Sequence, residues 1–146
     1  MTTNGTIGAL LHHKGSEVWT ISVKATVFDA IALLAEKNIG ALPVMEDGRL
    51  AGIFSERDYA RKVALQGKSS RTTLLREVIS TPVVAVTSQH SIEEAMRLMT
   101  EKHIRHLPVI DGEKMAGLVS IGDMVNWIIS AQSATIDQME SYLAGR

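Results

Sequence analysis

The sequence predicts an α+β fold: two copies of a β-α-β-β-α unit, packed sheet to sheet, with short helical flanks. Three observations lead there. Residues 16–63 and 81–128 register without a gap at an offset of 65 residues, with thirteen identities over 48 positions. Among these are Leu42-Pro43-Val44 with Leu107-Pro108-Val109, and Ser55 and Asp58 with Ser120 and Asp123. Each copy also sets an Asp-Gly pair between two apolar runs, a hairpin signal because both residues tolerate positive φ. Ahead of that hairpin each copy carries apolar residues at three-four spacing, the period of a half-buried helix. One unit of about 50 residues is too small to close a core, so each sheet needs covering by its twin.

Taken in order, Ile7 to Lys14 reads as a short helix closed by Gly15, a usual residue just past a helix end. Val18 to Ile21 is β-branched and aromatic and reads as a strand. Thr26 starts a helix with Asp29 at capping-box spacing, and Val27, Ala30, Ile31, Leu34 and Ala35 form its stripe. Pro43 is expected to open the next strand, where a missing N–H is tolerated. Asp47-Gly48 turns the chain into a returning strand, Leu50 to Phe54. Ser55 then caps a helix running to about Gln66 and ended by Gly67. Residues 67–73 are small and polar, and Leu74 to Ile79 reads as a short amphipathic helix.

The second copy repeats the order: strand Val83–Val86, helix Ile92–His103 capped by Ser91 with Glu94, and strand Leu107–Ile110. Next come turn Asp111-Gly112, strand Lys114–Val119 and a helix after Ser120. That helix is expected to end near Gln132, with another from Ala134 to Leu143 carrying Ile136, Met139 and Leu143. The parts are a flank over 1–16, a repeat over 17–66, a linker over 67–80, a second repeat over 81–131 and a C-terminal helix over 132–146.

Composition narrows the function classes. Fifteen Lys and Arg against sixteen Asp and Glu leave no bulk charge to draw nucleic acid or anionic lipid. The absence of cysteine rules out disulfides, thiol catalysis and thiolate metal sites and fits a reducing compartment. The start, MTTNGTIGALLHHKG, lacks a secretory signal pattern, and no apolar run approaches the roughly 18 residues of a membrane span. A cytoplasmic protein is expected. His103-x-x-His106 has helical ligand spacing and His12-His13 adds imidazole, but no carboxylate or cysteine completes a metal set. No Walker or Rossmann phosphate loop appears, and no serine sits in G-x-S-x-G, so nucleophilic catalysis has no support in the sequence.

The LPV strand, the Asp-Gly hairpin, an apolar-Gly pair and S-x-x-D fall in that order, twice. In this the chain resembles the CBS domain, the module named after cystathionine β-synthase. The resemblance covers about Glu17 to Ile129 and implies a stand-alone tandem pair, or Bateman module, of the kind found in bacterial signal-transduction proteins. Such pairs often hold adenine nucleotides (AMP, ADP, ATP, NAD or S-adenosylmethionine) in clefts between the two halves. Many also pair two modules into a flat dimer. The resemblance therefore implies a regulatory, non-catalytic nucleotide sensor, a homodimer, and a protein target that the sequence does not name.

Two motifs carry the expected chemistry. Ser55-Glu56-Arg57-Asp58 and Ser120-Ile121-Gly122-Asp123 each follow a strand and open a helix, where N–H groups converge and an anion is stabilised. A carboxylate one turn in can accept two hydrogen bonds from a ribose diol. The same spacing is also an ordinary capping box in which nothing else binds. The resemblance assigns Asp58 and Asp123 to the ribose, and Ser55 and Ser120 to phosphate or ribose.

Further residues follow from the resemblance. Arg105 and His106 stand where relatives place a basic pair facing the phosphates, and a guanidinium fork suits phosphate oxygens. Arg57 is another phosphate candidate, and its counterpart Gly122 has no charge, so the two sites are expected to differ. The Asp123 cleft is expected to be walled by Lys14, Trp19 and Thr20, and the Asp58 cleft by Ser80, Val84 and Ala85. Trp19 could stack on a ligand or pack, and core packing is the expectation, since buried aromatics usually serve the core. Gly40 and Ala41 leave room for a ligand or fit a tight turn.

Two other classes stand beside the sensor. A structural dimerisation module would leave its clefts unoccupied. A small hydrolase or transferase acting on nucleotides would need a general base, for which His106 is the single candidate.

Overall fold

The computed structural model of the chain describes residues 5–15 and 17–143; at 132–138 and 142 only the backbone is described. Helix α1 (Ile7–Lys14) begins at Thr6, whose hydroxyl accepts from the Ala9 N–H at 3.1 Å, and ends at Gly15 with φ 95°. Helix α2 (Val27–Lys37) starts from a complete capping box, Thr26 with Asp29, and stops where Asn38 turns left-handed at φ 54°. Its second-copy equivalent α4 (Ile92–Lys102) does the same with Ser91, Glu94 and left-handed His103. Each box satisfies two N–H groups that a helix start otherwise leaves unpaired.

Strands β1 (Ile21–Ser22), β2 (Ala41–Glu46) and β3 (Arg49–Ser55) form a sheet in that order. β1 runs parallel to β2, and β3 runs antiparallel to it. The β2–β3 loop is Asp47-Gly48, both at positive φ, as a two-residue turn matching the strand twist requires. Strands β4 (His106–Asp111) and β5 (Lys114–Ser120) make the second, two-stranded sheet. α3 (Glu56–Asp58) follows β3, and α5 (Ile121–Leu143) follows β5.

Several expectations need correction. The first strand covers Ile21–Ser22 rather than Val18–Ile21, because β2 offers it partners only at Val44 and Met45. Pro43 sits inside β2, not at its start; it lies just beyond the reach of β1, so its missing N–H breaks no bond there. Of Val83–Val86 only Val86 pairs, through a parallel bridge to Val109. The second hairpin turns at Gly112-Glu113, one residue later than expected, with positive φ at Gly112.

The helix after Ser55 is α-helical for three residues and then winds as a π segment, Tyr59–Ala64. Its wider turns appear in the bonds Leu65 N–H to Ala60 C=O and Lys68 N–H to Val63 C=O. The expected linker helix is a single 3₁₀ turn, Leu75–Glu77. α5 is one helix of 23 residues, not two. Past Gly122 it contains neither Gly nor Pro, so nothing in its interior ends it. On α2, Ala35 is exposed, and the buried stripe is Val27, Ala30 and Leu34. The expected Ile136 contact lies outside the described side chains, while Met139 and Leu143 are exposed.

The chain folds as two units. One holds Glu17–Ala85 with Gly112–Met115; the other holds the described residues within Met1–Ser16, Val86–Asp111 and Ala116–Arg146. In the first unit the core joins Val23, Val27, Leu34, Leu42, Val44 and Phe54 to Leu75 and Val78, which come from beyond the repeat. Three backbone bonds seat that segment: Leu75 N–H to Ala25 C=O, Arg76 N–H to Val23 C=O, and Val27 N–H to Thr73 C=O.

The other unit uses the same three bonds with α1 in place of the linker. Ile7 N–H reaches His90 C=O, Gly8 N–H reaches Ser88 C=O, and Ile92 N–H reaches Gly5 C=O. His90, Ser88 and Ile92 stand 65 residues after Ala25, Val23 and Val27. Each repeat is therefore completed by the segment that precedes the other repeat.

Candidate functional site

Both S-x-x-D motifs are complete capping boxes. In the second unit the Ser120 N–H donates to Asp123 Oδ2 at 2.8 Å, and the Asp123 N–H donates back to Ser120 Oγ at 3.1 Å. In the first unit Asp58 Oδ2 accepts from the Ser55 N–H at 2.9 Å and from its hydroxyl at 3.1 Å, and the Asp58 N–H returns to Ser55 Oγ at 3.2 Å. The box spends Oδ2 and leaves Oδ1 of each aspartate without a hydrogen bond among the described residues. The strands behind them match as well: Ile121 N–H bonds Arg105 C=O, and Glu56 N–H bonds Gly40 C=O.

An ammonium stands beside each carboxylate. Lys14, the last residue of α1, donates to Asp123 Oδ2 at 2.7 Å and to Leu118 C=O at 3.1 Å. At the other site Lys62 Nζ lies 3.6 Å from Asp58 Oδ1 and donates to Ser80 Oγ at 2.8 Å and Val78 C=O at 3.2 Å. The aspartate side chains keep only 23% and 19% of their exposure, so these pairs are partly shielded from water. An apolar-Gly pair in each copy makes room for the neighbouring segment. A Cβ on Gly117 would meet Leu11 Cδ2 at 2.8 Å, and one on Gly52 would meet Ile79 Cβ and Ser80 C=O at 3.0 Å.

The structure gathers Lys14, Ser120, Asp123 and the Arg105 backbone in one unit, and Gly40, Ser55, Asp58 and Ser80 in the other. Arg57 and Arg105 have exposed side chains, and His106 is half-buried at the start of β4. Ala41 is buried, so it shows a ligand almost no surface. Trp19, Thr20, Val84 and Ala85 all belong to the unit of Asp58. Trp19 does not pack into the core as expected: it is 38% exposed, with Lys37 Nζ 4.0 Å from its ring centre. That stacks a cation on a solvent-facing ring.

Lys62 is the residue that sequence reasoning missed. Its signal was there, since Asp58 and Lys62 are four residues apart on one helical segment. The gapless register hid it by pairing Lys62 with Trp127, and Lys14 with Ile79. Among the described residues no cluster of three or more His, Asp or Glu could hold a metal ion. No helix among them is long and apolar enough to cross a membrane.

Comparison with known proteins gives consistent matches. The CBS domain family matches residues 14–65 and 75–130. A CBS-domain protein from Burkholderia ambifaria MC40-6 superposes with a TM-score of 0.84 at 46% identity, covering 88% of this chain and 96% of that one. The CBS domain-containing protein YhcV of Bacillus subtilis is 36% identical over 82% of this chain and 84% of its own length. The mitochondrial CBS domain-containing protein CBSX3 of Arabidopsis thaliana is 38% identical over 90% of this chain, which spans 66% of that protein.

Proposed function

The chain belongs to the CBS domain family and carries two copies of the domain, a regulatory pair, and on that premise we propose a cytoplasmic, non-catalytic sensor of adenine nucleotides. The ligand class is AMP, ADP, ATP or NAD, held at one or both aspartates. The observation that carries this reading is the state of the carboxylates. Each is held rigid through Oδ2 by its own helix start, while Oδ1 stays open to accept from a ribose hydroxyl. An ammonium beside each suits an anionic ligand. The same fold is seen in the CBS domain pair of protein MJ0100, solved with 5′-methylthioadenosine and S-adenosyl-L-methionine at 20% identity to this chain.

Binding would act by population shift: a nucleotide that prefers one packing of the module or its homodimer raises that packing, which a protein target then reads. Titration calorimetry with AMP tests the reading. Asp123→Ala is expected to weaken binding at its site by about 1.5–3 kcal/mol, roughly ten- to a hundredfold. Unchanged affinity would remove Asp123 from the site.

A second reading, a structural dimerisation module, draws on one observation: each aspartate is already engaged by its own serine in a complete capping box. It predicts no change in Tm with any adenine nucleotide, whereas a binder gains stability by mass action.

A further inference from the structure

The Asp58 site contains an unassigned donor. Lys62 Nζ carries three N–H groups, of which two are used, on Ser80 Oγ and Val78 C=O. The third faces Asp58 Oδ1 across 3.6 Å, too far for a hydrogen bond. One unspent donor and one unspent acceptor therefore stand side by side, held by a capping box on one and two hydrogen bonds on the other. A ligand that satisfies both brings a hydroxyl for Oδ1 and an acceptor for the ammonium, and an anionic acceptor gains more there than a neutral hydroxyl oxygen.

The second site also sets an ammonium on its aspartate, from a different part of the chain, though there the lysine bonds Oδ2, the oxygen the capping box uses. Lys14 also has two of its three N–H groups bonded, and Asp123 Oδ1 is likewise unspent among the described residues. Lys14 and Lys62 are not repeat equivalents, so the duplication did not supply the match. Two unrelated positions each place an ammonium on the aspartate of an S-x-x-D motif.

Resting on the nucleotide reading, the geometry points to Lys62 as the anion-binding residue of the Asp58 site. The site would thus select 5′-phosphorylated ribonucleosides over neutral ones. A purely structural lysine, tying the π segment to Ser80, would instead affect all ligands alike.

The test is calorimetry of the full chain with AMP and with adenosine, in an Asp123→Ala background that weakens the other site, with the two sites fitted separately. Lys62→Met is expected to lower AMP affinity about five- to twentyfold, the modest range for a charge contact still 40% exposed. It should leave adenosine affinity within twofold, and Lys62→Arg should restore most of the AMP affinity. A Tm for each variant confirms that it is folded. Equal losses for AMP and adenosine, or no loss for AMP, would overturn the Lys62 assignment alone. Absence of binding by either ligand to the wild-type protein would overturn the nucleotide reading itself.

Discussion

Two carboxylates outside the candidate site report on how single residues hold this fold. Glu94 closes the capping box of α4, and the Ser91 N–H and hydroxyl beside it hold its carboxyl below the usual range. Asp111 accepts from the Ser88 N–H at 2.9 Å and from its hydroxyl, and is lowered by those bonds. A carboxyl depressed in the folded state stabilises it above the unfolded pKa, and that contribution fades as pH falls through the folded value. The window therefore lies below about 4.5 for Glu94 and 3.8 for Asp111. The double variant Glu94→Gln, Asp111→Asn should lose less stability than the wild type between pH 5 and pH 3 in urea titrations. A steeper loss in the variant would refute the linkage.

The glycines shared by both copies give a second test at this scale. A methyl on Gly52 meets backbone at Ser80 and the stem of Ile79, neither of which can yield. Gly117→Ala meets only the tip of Leu11, a flexible neighbour. Gly52→Ala should cost about 1–3 kcal/mol, and Gly117→Ala less than about 1 kcal/mol, seen as a larger fall in Tm for the former. Reversed order would mean that the Ile79–Ser80 segment is less firmly seated than its hydrogen bonds indicate.

Among the elements, α1 has the largest consequence for its length. Ile7, Leu10 and Leu11 are all buried, so eight residues plug the core of the second repeat. Leu10→Ala should destabilise by about 2–4 kcal/mol, measured by thermal or urea unfolding. The sequence announced α1 clearly through its helix period and Gly15. What it could not announce was the docking, because the partners Ser88 and His90 lie some 80 residues away and are met through backbone atoms that no side-chain pattern encodes. The same blindness explains β1 and Val86, whose lengths are set by what β2 and β4 offer rather than by their own propensity. The π segment was hidden too: i→i+5 winding needs no residue type that an α-helix lacks. The capping boxes, by contrast, were legible because both partners lie within four residues of each other.

On the scale of the molecule, the fold class and the twin repeats were readable from one offset, and so were the two aspartates at its ends. Lys62 was not, since a register built on likeness passes over a residue that has no like. A whole-molecule test follows from the core of the first unit. The peptide 17–66 lacks Leu75 and Val78 and should show no cooperative melting by circular dichroism, while 17–85 should melt cooperatively. Cooperative melting of the shorter peptide would show that the repeat is self-sufficient.

The loan of each leading arm to the other repeat has an evolutionary corollary. A lone ancestor about 65 residues long, built this way, would fold its arm onto nothing of its own and would need a sister chain to lend one back. Fusing two such sisters end to end keeps the mutual loan and removes its dependence on concentration. Gene duplication would here have preserved a partnership that already existed between separate molecules.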